Sequence, residues 1–203
     1  LVREVIKARV SNVLIATRKY AEMQKKNREL SELSEIDQMT GLYNKMTTVN
    51  KINQQLHEHK NHIDAIIVVD MDDFKYINDS EGHLIGDHAI RRVSRILKDN
   101  FRKEDIIGRI GGDEFVVFLN DIPDKEIARR KARDIIRIFK VKKSTVIKGR
   151  TTVSIGLAFT DSEVYDYKEL FDRADKALAE AKKYGKACYH EYGIDDYGTY
   201  EEK

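Results

Sequence analysis

Cysteine and long apolar runs are scarce in this sequence, and each scarcity excludes a class of protein. Cys188 is the only cysteine among 203 residues, which excludes an internal disulfide framework and favours a reducing compartment. No apolar run reaches the roughly 18 residues that a membrane-spanning helix needs, and no signal-peptide pattern is present. We therefore expect a cytoplasmic location for these residues.

Charge, in contrast, is abundant but nearly balanced. The chain has 37 Lys and Arg residues against 35 Asp and Glu residues, a formal net charge of +2, with 41% hydrophobic and 35% charged residues. This composition is typical of a soluble globular domain with an appended segment. The near-balance gives no support to a nucleic-acid partner, and we expect none.

The first 36 residues form the predicted appendage. Residues 1–33 contain neither Gly nor Pro, and an imperfect heptad seam, interrupted by Arg9 and Asn27, favours one long helix. The helix could pack on its own domain, but its length and charge favour pairing with a second chain. Because the sequence begins at Leu1 rather than methionine, we expect an upstream sensory domain outside this piece. A membrane anchor in the longer protein stays open.

The remaining sequence alternates strand and helix patterns in the order β-α-β-β-α-β. This order is that of the split βαβ arrangement in ferredoxin-like α+β folds. We assign a domain to residues 37–190 and a polar, loosely held tail to residues 191–203. The predicted helices cover residues 44–60, 86–100, 124–140 and 167–184, and the predicted strands cover residues 62–70, 105–110, 114–119 and 151–160.

Two acidic segments of this domain are predicted to converge. In the expected topology, the turn of the 105–119 hairpin lies at the same end of the sheet as the end of the first strand. Asp70 and Asp113 should therefore meet and form an oxygen-ligand site for Mg²⁺. Taken alone, Gly111-Gly112-Asp113-Glu114-Phe115 is also compatible with an ordinary solvated turn.

The run from Asp70 to Asp87 is predicted to be a polar loop that leads into a helix. It contains Lys75, Asn78 and two glycines between acidic residues. Lysine and backbone N–H groups at a helix start suit phosphates, and Asn and Asp side chains suit a base edge. The alternative is a surface loop with helix caps at Asp79 and Asp87.

Five successive motifs closely resemble those of the GGDEF-domain diguanylate cyclases. They occur in family order and spacing between about Asp37 and Tyr189. The resemblance implies a fold related to adenylyl cyclases and polymerase palm domains. It also implies a homodimer that condenses two GTP into cyclic di-GMP and two pyrophosphates. The motifs are residues 37–44, 70–87, 109–115, 151–158 and 174–182.

The resemblance also implies roles for individual residues. Asp70, Asp113 and Glu114 are the implied catalytic residues, and with the Met71 carbonyl they are the implied ligands of two Mg²⁺ ions, for which Mn²⁺ could substitute. Asn78 and Asp87 are implied to recognise guanine. Cyclic di-GMP is implied to inhibit at Arg102, Asp105 and Arg133, with Arg137 left open. The other implied substrate contacts are Phe74, Lys75, Gly111, Gly112, Lys182 and Lys186.

Some positions depart from the family pattern, and other functions stay open. Lys186 stands where arginine is commoner, and Met46 and Ala179 also differ from the usual residues. The first alternative is a degenerate domain that binds GTP or cyclic di-GMP without turnover. Others are a cyclase with a mixed guanine–adenine product, which Asp87 disfavours, and a structural coiled-coil protein.

Overall fold

A computed structural model describes residues 17–19, 35–58, 62–141, 147, 151–161, 166–194 and 197–198. The chain divides into two compact units, Leu1–Glu35 and Ile36–Lys203. In the first unit, residues 17–19 are helical. The rest of the predicted long helix, with its heptad seam, lies outside the described residues, as does most of the predicted loose tail.

The second unit is built on a single mixed sheet. The strand order is β2-β3-β1-β4-β5-β6, with β1 antiparallel to both β3 and β4 and β5 parallel to β4. The predicted ferredoxin-like core is therefore confirmed. Its elements are α1 (Lys45–Glu58), β1 (Ala65–Met71), α2 (Phe74–Glu81), α3 (His83–Asn100), β2 (Ile106–Arg109), β3 (Glu114–Leu119), α4 (Lys125–Val141), β4 (Val153–Phe159), α5 (Tyr167–Tyr184), β5 (Tyr189–Glu191) and β6 (Tyr197–Gly198).

Both faces of the sheet are covered, which explains the continuous apolar runs of its central strands. Every residue of β1 and of β4 is buried. Along β1, Ile67 and Val69 belong to one core cluster with residues of α3 and α4. Ile66 and Val68 belong to a second cluster with residues of α1 and α5. Alternate side chains of one strand thus fill two helix layers.

The packing of α5 on the sheet depends on one glycine of β4. A Cβ at Gly156 would lie 2.0 Å from the Ala174 carbonyl oxygen and 2.5 Å from the Leu178 nitrogen. Only glycine allows the helix backbone to approach the strand this closely. The approach determines where the last turn of α5, with Lys182, meets the end of β1.

The structure corrects the predicted loop after the first strand. Residues 74–81 form the short helix α2, and α3 begins at His83, directly after Gly82 with φ 88°. The alternative of helix caps at Asp79 and Asp87 is wrong, because Asp79 lies within α2 and Asp87 within α3. The N-cap positions belong to Asp73, whose side chain makes no capping bond, and to Gly82, which has no side chain.

None of the helices among the described residues is both long enough and apolar enough to span a membrane. The longest described helices are α3 and α5, with 18 residues each. Each of them carries charged residues throughout its length and packs one apolar face on the sheet.

Candidate active site at the acidic edge of the sheet

Three acidic residues meet at one edge of the sheet, where β1 ends and β3 begins. In the strand register Asp70 is opposite Glu114, and the Met71 N–H donates to the Asp113 carbonyl oxygen at 3.4 Å. The convergence predicted from topology is therefore present. We call Asp70, Asp113 and Glu114 the acidic edge.

The charge of Asp70 is held in an unfavourable environment. Its side chain is only 9% exposed, and its Oδ1 atom lies 2.8 Å from the Lys182 ammonium nitrogen. Burial raises the pKa of Asp70 to about 6, with further contributions from the charges of Asp113 and Glu114, although Lys182 opposes the shift. A carboxylate surrounded in this way favours an additional cation nearby.

The donor set of the acidic edge suits a hard divalent cation. Carboxylate and carbonyl oxygens are the ligands that Mg²⁺ prefers, and one ammonium group, that of Lys182, faces Asp70. In the described part of the chain, however, no three His, Cys, Asp or Glu side chains form a group that could hold a metal ion. The chemistry of the donors fits Mg²⁺, while the ligand geometry is not assembled by the side chains alone.

The turn before Glu114 is held together by Arg109, a contact that sequence reasoning missed. The guanidinium group donates to the carbonyl oxygens of Gly111 at 3.1 Å and Gly112 at 2.7 Å. It also reaches both carboxylate oxygens of Asp37 at 3.3 Å. Arg109 thus connects the acidic hairpin to the turn at which the second unit begins.

Neither glycine of this turn is required for left-handed geometry, and one of them is required for space. Positive φ among the described glycines occurs at positions 41, 82, 185 and 193, and so neither at Gly111 nor at Gly112. A Cβ at Gly111 would lie 2.7 Å from a Glu114 carboxylate oxygen, whereas a Cβ at Gly112 would meet nothing within 4 Å. Gly111 therefore makes room for the Glu114 side chain.

The helix pair α2–α3 brings together the two residues predicted to read guanine. A Cβ at Gly86 would lie 2.0 Å from the Asn78 side-chain oxygen and 3.3 Å from the Phe74 ring. Asn78 and Phe74 therefore lie against the start of α3, next to Asp87. Asp87 is partly exposed and faces Arg91 at 3.9 Å, while Lys75 is exposed on α2.

Two lysines, one in the last turn of α5 and one in the turn that follows it, reach acids at and just after the end of β1. Lys182 contacts Asp70, and the Lys186 ammonium nitrogen lies 2.7 Å from an Asp73 carboxylate oxygen. The Asp73 contact raises the pKa of Lys186. Between these acids lies Asp72, a buried residue that sequence reasoning missed. Its spacing of two from Asp70 was the available signal, because alternate strand residues share a face.

The predicted inhibitory residues lie in two separate places. Asp105 is buried, its side chain accepts from the Arg102 N–H at 2.8 Å, and burial raises its pKa. Arg133 instead contacts Glu126, and its guanidinium lies 3.3 Å from the Tyr189 hydroxyl on β5. The sheet order places β5 away from β2, so the structure does not bring Arg133 to Arg102.

The basic side chain of α4 that contacts the residues just before the Arg102 turn is Lys131. Its ammonium group contacts the Asn100 carbonyl oxygen and lies 5.4 Å from the centre of the Phe101 ring. A cavity of about 480 Å³ opens on the same turn and is lined by Phe101, Arg102 and Asp105, among others. Its lining comes from residues 36–43 and 98–107, and so it is separate from the acidic edge.

A ferredoxin-like sheet with carboxylates where its first strand and central hairpin meet defines a class of nucleotidyl-transfer domains. The family model described as "Diguanylate cyclase, GGDEF domain" matches residues 34–188. The chain belongs to this family of diguanylate cyclase domains.

Two relatives named as diguanylate cyclases support the same family, and a third relative is similar to the same part of the chain. The chain is 33% identical over 163 residues to the probable diguanylate cyclase DgcC of Escherichia coli, covering 78% of this chain and 43% of that protein. It is 33% identical over 168 residues to diguanylate cyclase A of Treponema denticola, covering 79% and 45%. The uncharacterized protein YtrP of Bacillus subtilis is 35% identical, covering 77% and 26%. The chain thus spans less than half of these relatives.

Solved structures show the same fold. The GGDEF domain of PA1120 (TpbB or YfiN) from Pseudomonas aeruginosa superposes with a TM-score of 0.73 at 26% identity, covering 79% of this chain and 95% of that one. The GGDEF domain of DgcB from Caulobacter crescentus, solved in complex with c-di-GMP, gives a TM-score of 0.71 at 23% identity, covering 79% and 94%.

Proposed function

We propose that this domain is an active diguanylate cyclase that converts two GTP into cyclic di-GMP and two pyrophosphates. The observation that carries the proposal is the acidic edge, where Asp70 lies opposite Glu114 across neighbouring strands. Membership of a diguanylate cyclase family supports the reaction class. Each 3′-hydroxyl oxygen attacks an α-phosphorus, the bond to pyrophosphate breaks, and the hydroxyl proton is lost.

The acidic edge would hold the metal on which this chemistry depends. Asp70, Asp113 and Glu114 would bind Mg²⁺, with the Met71 carbonyl as a further ligand. When bound, Mg²⁺ neutralises polyphosphate charge and lowers the pKa of the attacking hydroxyl. With a pKa of about 6, Asp70 is mostly ionised at neutral pH and available as a ligand. The Lys182 ammonium group, now on Asp70, would then turn to the phosphates.

The remaining substrate contacts lie around this edge. Asn78 and Asp87 would hydrogen-bond the guanine edge, because a carboxylate accepts from guanine N1–H and the N2 amine. The proximity of Asn78 to Gly86 supports this pairing. Phe74 would border the base. The groups that would contact the phosphates are Lys75, Lys182 and Lys186. Because Gly111 and Gly112 have no side chains, the backbone at these positions would be able to approach the phosphates closely.

Catalysis would require two copies of the domain. Each domain would hold one GTP, and a two-fold interface would bring the 3′-hydroxyl of one nucleotide to the α-phosphate of the other. The segment of residues 1–36 would align the two copies in response to an upstream sensory domain. Cyclic di-GMP would inhibit at Arg102 and Asp105. Lys131 lies nearer to these residues than Arg133 does, and Arg133 would take part only if a second copy of the domain supplied it.

The test is product identification with a matched pair of variants. The protein is incubated with GTP and Mg²⁺, and products are separated by chromatography and identified by mass spectrometry. Glu114→Gln keeps the side-chain shape but removes the charge, and we expect it to lower turnover at least about a hundredfold. Glu180→Gln makes the same change on the surface of α5, at a residue that pairs with Lys183, and should leave turnover unchanged.

The outcomes separate the alternatives. Cyclic di-GMP from the wild type and from Glu180→Gln, but not from Glu114→Gln, supports the proposal. A mixed guanine–adenine product in the presence of ATP would reassign the specificity. GTP binding without any product, even after forced dimerisation, would favour a nucleotide receptor, a reading consistent with the Lys182 contact to Asp70.

A further inference from the structure

Asp72 is a buried carboxylate whose oxygens are fully engaged by neutral donors. Its side chain follows β1 and is 4% exposed. The Oδ1 atom accepts from the Ser154 hydroxyl at 2.6 Å. The Oδ2 atom accepts from the Thr152 hydroxyl at 2.7 Å and from the Ala187 N–H at 3.1 Å. Asp72 therefore joins three segments: the end of β1, the start of β4 and the turn after α5.

The turn after α5 has an unfavourable backbone conformation. Lys186 and Ala187 are consecutive non-glycine residues with φ of 65° and 50°. Side chains disfavour this left-handed region, and the conformation persists only where surrounding contacts determine it. The Lys186 N–H donates to the Ala181 carbonyl oxygen at 3.2 Å, and the Ala187 N–H donates to Asp72. The Asp72 bond thus ties this turn to the sheet, and directly after it the Ile155 N–H of β4 donates to the Cys188 carbonyl oxygen at 3.0 Å.

The same turn carries one of two ammonium groups that lie close together. Lys186 reaches Asp73, and Lys182, one turn earlier on α5, reaches Asp70. Both groups therefore meet the end of β1 on either side of Asp72. If the backbone of the 185–187 turn relaxed to right-handed geometry, the Lys186 side chain would project from it in a different direction.

We propose that Asp72 is a positioning residue that holds the 185–187 turn in its left-handed conformation and thereby places Lys186, beside Lys182, at the phosphate end of the nucleotide site. Asp72 itself touches no phosphate and acts through the Ala187 N–H. The phosphate part of this inference rests on the proposed function, whereas the anchoring of the turn does not.

Asp72→Asn is the central variant, because its amide has the same shape but only one acceptor oxygen. Hydrogen exchange of the free protein should show faster exchange at residues 185–188 in this variant. Calorimetry should show roughly tenfold weaker binding of a non-hydrolysable GTP analogue with Mg²⁺, and nearly unchanged binding of guanosine monophosphate. Asp99→Asn, an exposed site on α3, is the matched control and should change neither measurement.

Two further variants extend the test, and the first keeps it decisive if Asp72→Asn folds poorly. Thr152→Val removes one donor to Asp72 and should give a smaller loss in the same direction. Ala187→Gly removes the side-chain penalty at φ 50°, so adding it to Asp72→Asn should restore part of the triphosphate affinity. A merely structural role for Asp72 predicts no such selective rescue.

The results that overturn the inference are equally specific. Unchanged exchange at residues 185–188 in Asp72→Asn would refute the anchoring. Equal losses for the triphosphate and the monophosphate would show a general disturbance of the fold instead of a positioned lysine turn. If the wild type binds no GTP, the proposed function fails, and the exchange measurement still decides whether Asp72 holds the turn.

Discussion

Three aspartates at the end of β1 have the same side chain but different environments. Asp70 is buried beside two other acidic residues and one lysine. Asp72 is buried among hydroxyl and N–H donors that satisfy its oxygens. Asp73 is exposed, has φ 54°, and pairs with Lys186. Their differences follow from the donors supplied by β4 and α5, and they leave Asp70 as the carboxylate whose charge is least compensated.

The incompletely compensated charge of Asp70 should cost stability in the absence of divalent cations. Its pKa is about 6 in the folded protein against 3.8 for the ordinary group. The folded protein therefore binds this proton more tightly than the unfolded chain, and stability falls as the pH rises from about 4 to about 6. We expect Asp70→Asn to be more stable than the wild type at neutral pH by about 1–2 kcal/mol.

Urea unfolding in the presence of a chelator, at several pH values, measures this effect. The advantage of Asp70→Asn should vanish near pH 4, where the wild-type carboxyl group is protonated. Asp99→Asn, which is exposed, should follow the wild type at every pH. A variant that is less stable than the wild type at neutral pH would show that the Lys182 contact outweighs the cost of burial.

At the scale of elements, two glycines determine how helices approach the sheet. Gly156 of β4 faces backbone atoms of α5, whereas Gly108 of β2 faces the Thr48 side chain of α1, whose hydroxyl oxygen would lie 1.8 Å from an added Cβ. The first obstacle is a helix backbone that cannot move locally. The second is a side chain that can be shortened.

This difference predicts different responses to alanine. Gly156→Ala and Gly108→Ala should each lower the free energy of unfolding by about 3 kcal/mol through overpacking. Thr48→Ala should restore part of the loss caused by Gly108→Ala, while Leu178→Ala should not rescue Gly156→Ala. Gly112→Ala, which meets no atom within 4 Å, should stay within about 0.5 kcal/mol of the wild type. Denaturant unfolding measures all of these, and equal rescue in both pairs would contradict the packing argument.

Elements with complete end signals could be predicted from the sequence. Residues 167–184 were predicted as a helix and form α5 with the same bounds, because Asp166 caps its first turn and Gly185 ends it. The short helix α2 was missed, since eight residues beginning after a left-handed Asp73 give little periodicity. The strands β5 and β6 have three and two residues, too few for any alternating pattern.

The candidate site was predictable where it depends on topology and not where it depends on side-chain geometry. The meeting of Asp70 with the acidic hairpin follows from strand order, which periodicity reveals. The contacts of Arg109 with two carbonyl oxygens and Asp37 require knowledge of where the Asp37 turn lies. Likewise, the face of α4 that packs against the Arg102 turn determines whether Lys131 or Arg133 lies beside that turn. Helical spacing alone does not show which face this is.

At the scale of the whole molecule, the acidic edge of one domain can complete only half of the proposed reaction. A ring of two nucleotides needs two attacks, and one site supplies a single α-phosphate. The domain alone should therefore bind GTP as a monomer but turn it over only as a pair. The predicted helix of residues 1–36 would raise the local concentration of the second domain.

This requirement predicts a strong dependence of specific activity on protein concentration. Turnover per molecule should rise with protein concentration in parallel with the dimer fraction measured by analytical ultracentrifugation, and then level off where the dimer predominates. Fusing a strong parallel coiled coil in place of residues 1–36 should abolish the dependence, because the two domains then stay together at every dilution. A fused Glu114→Gln variant is the control, since it dimerises equally but lacks the carboxylate. Constant turnover per molecule down to concentrations at which the protein is monomeric would contradict the two-domain reaction and would require both nucleotides to bind one domain.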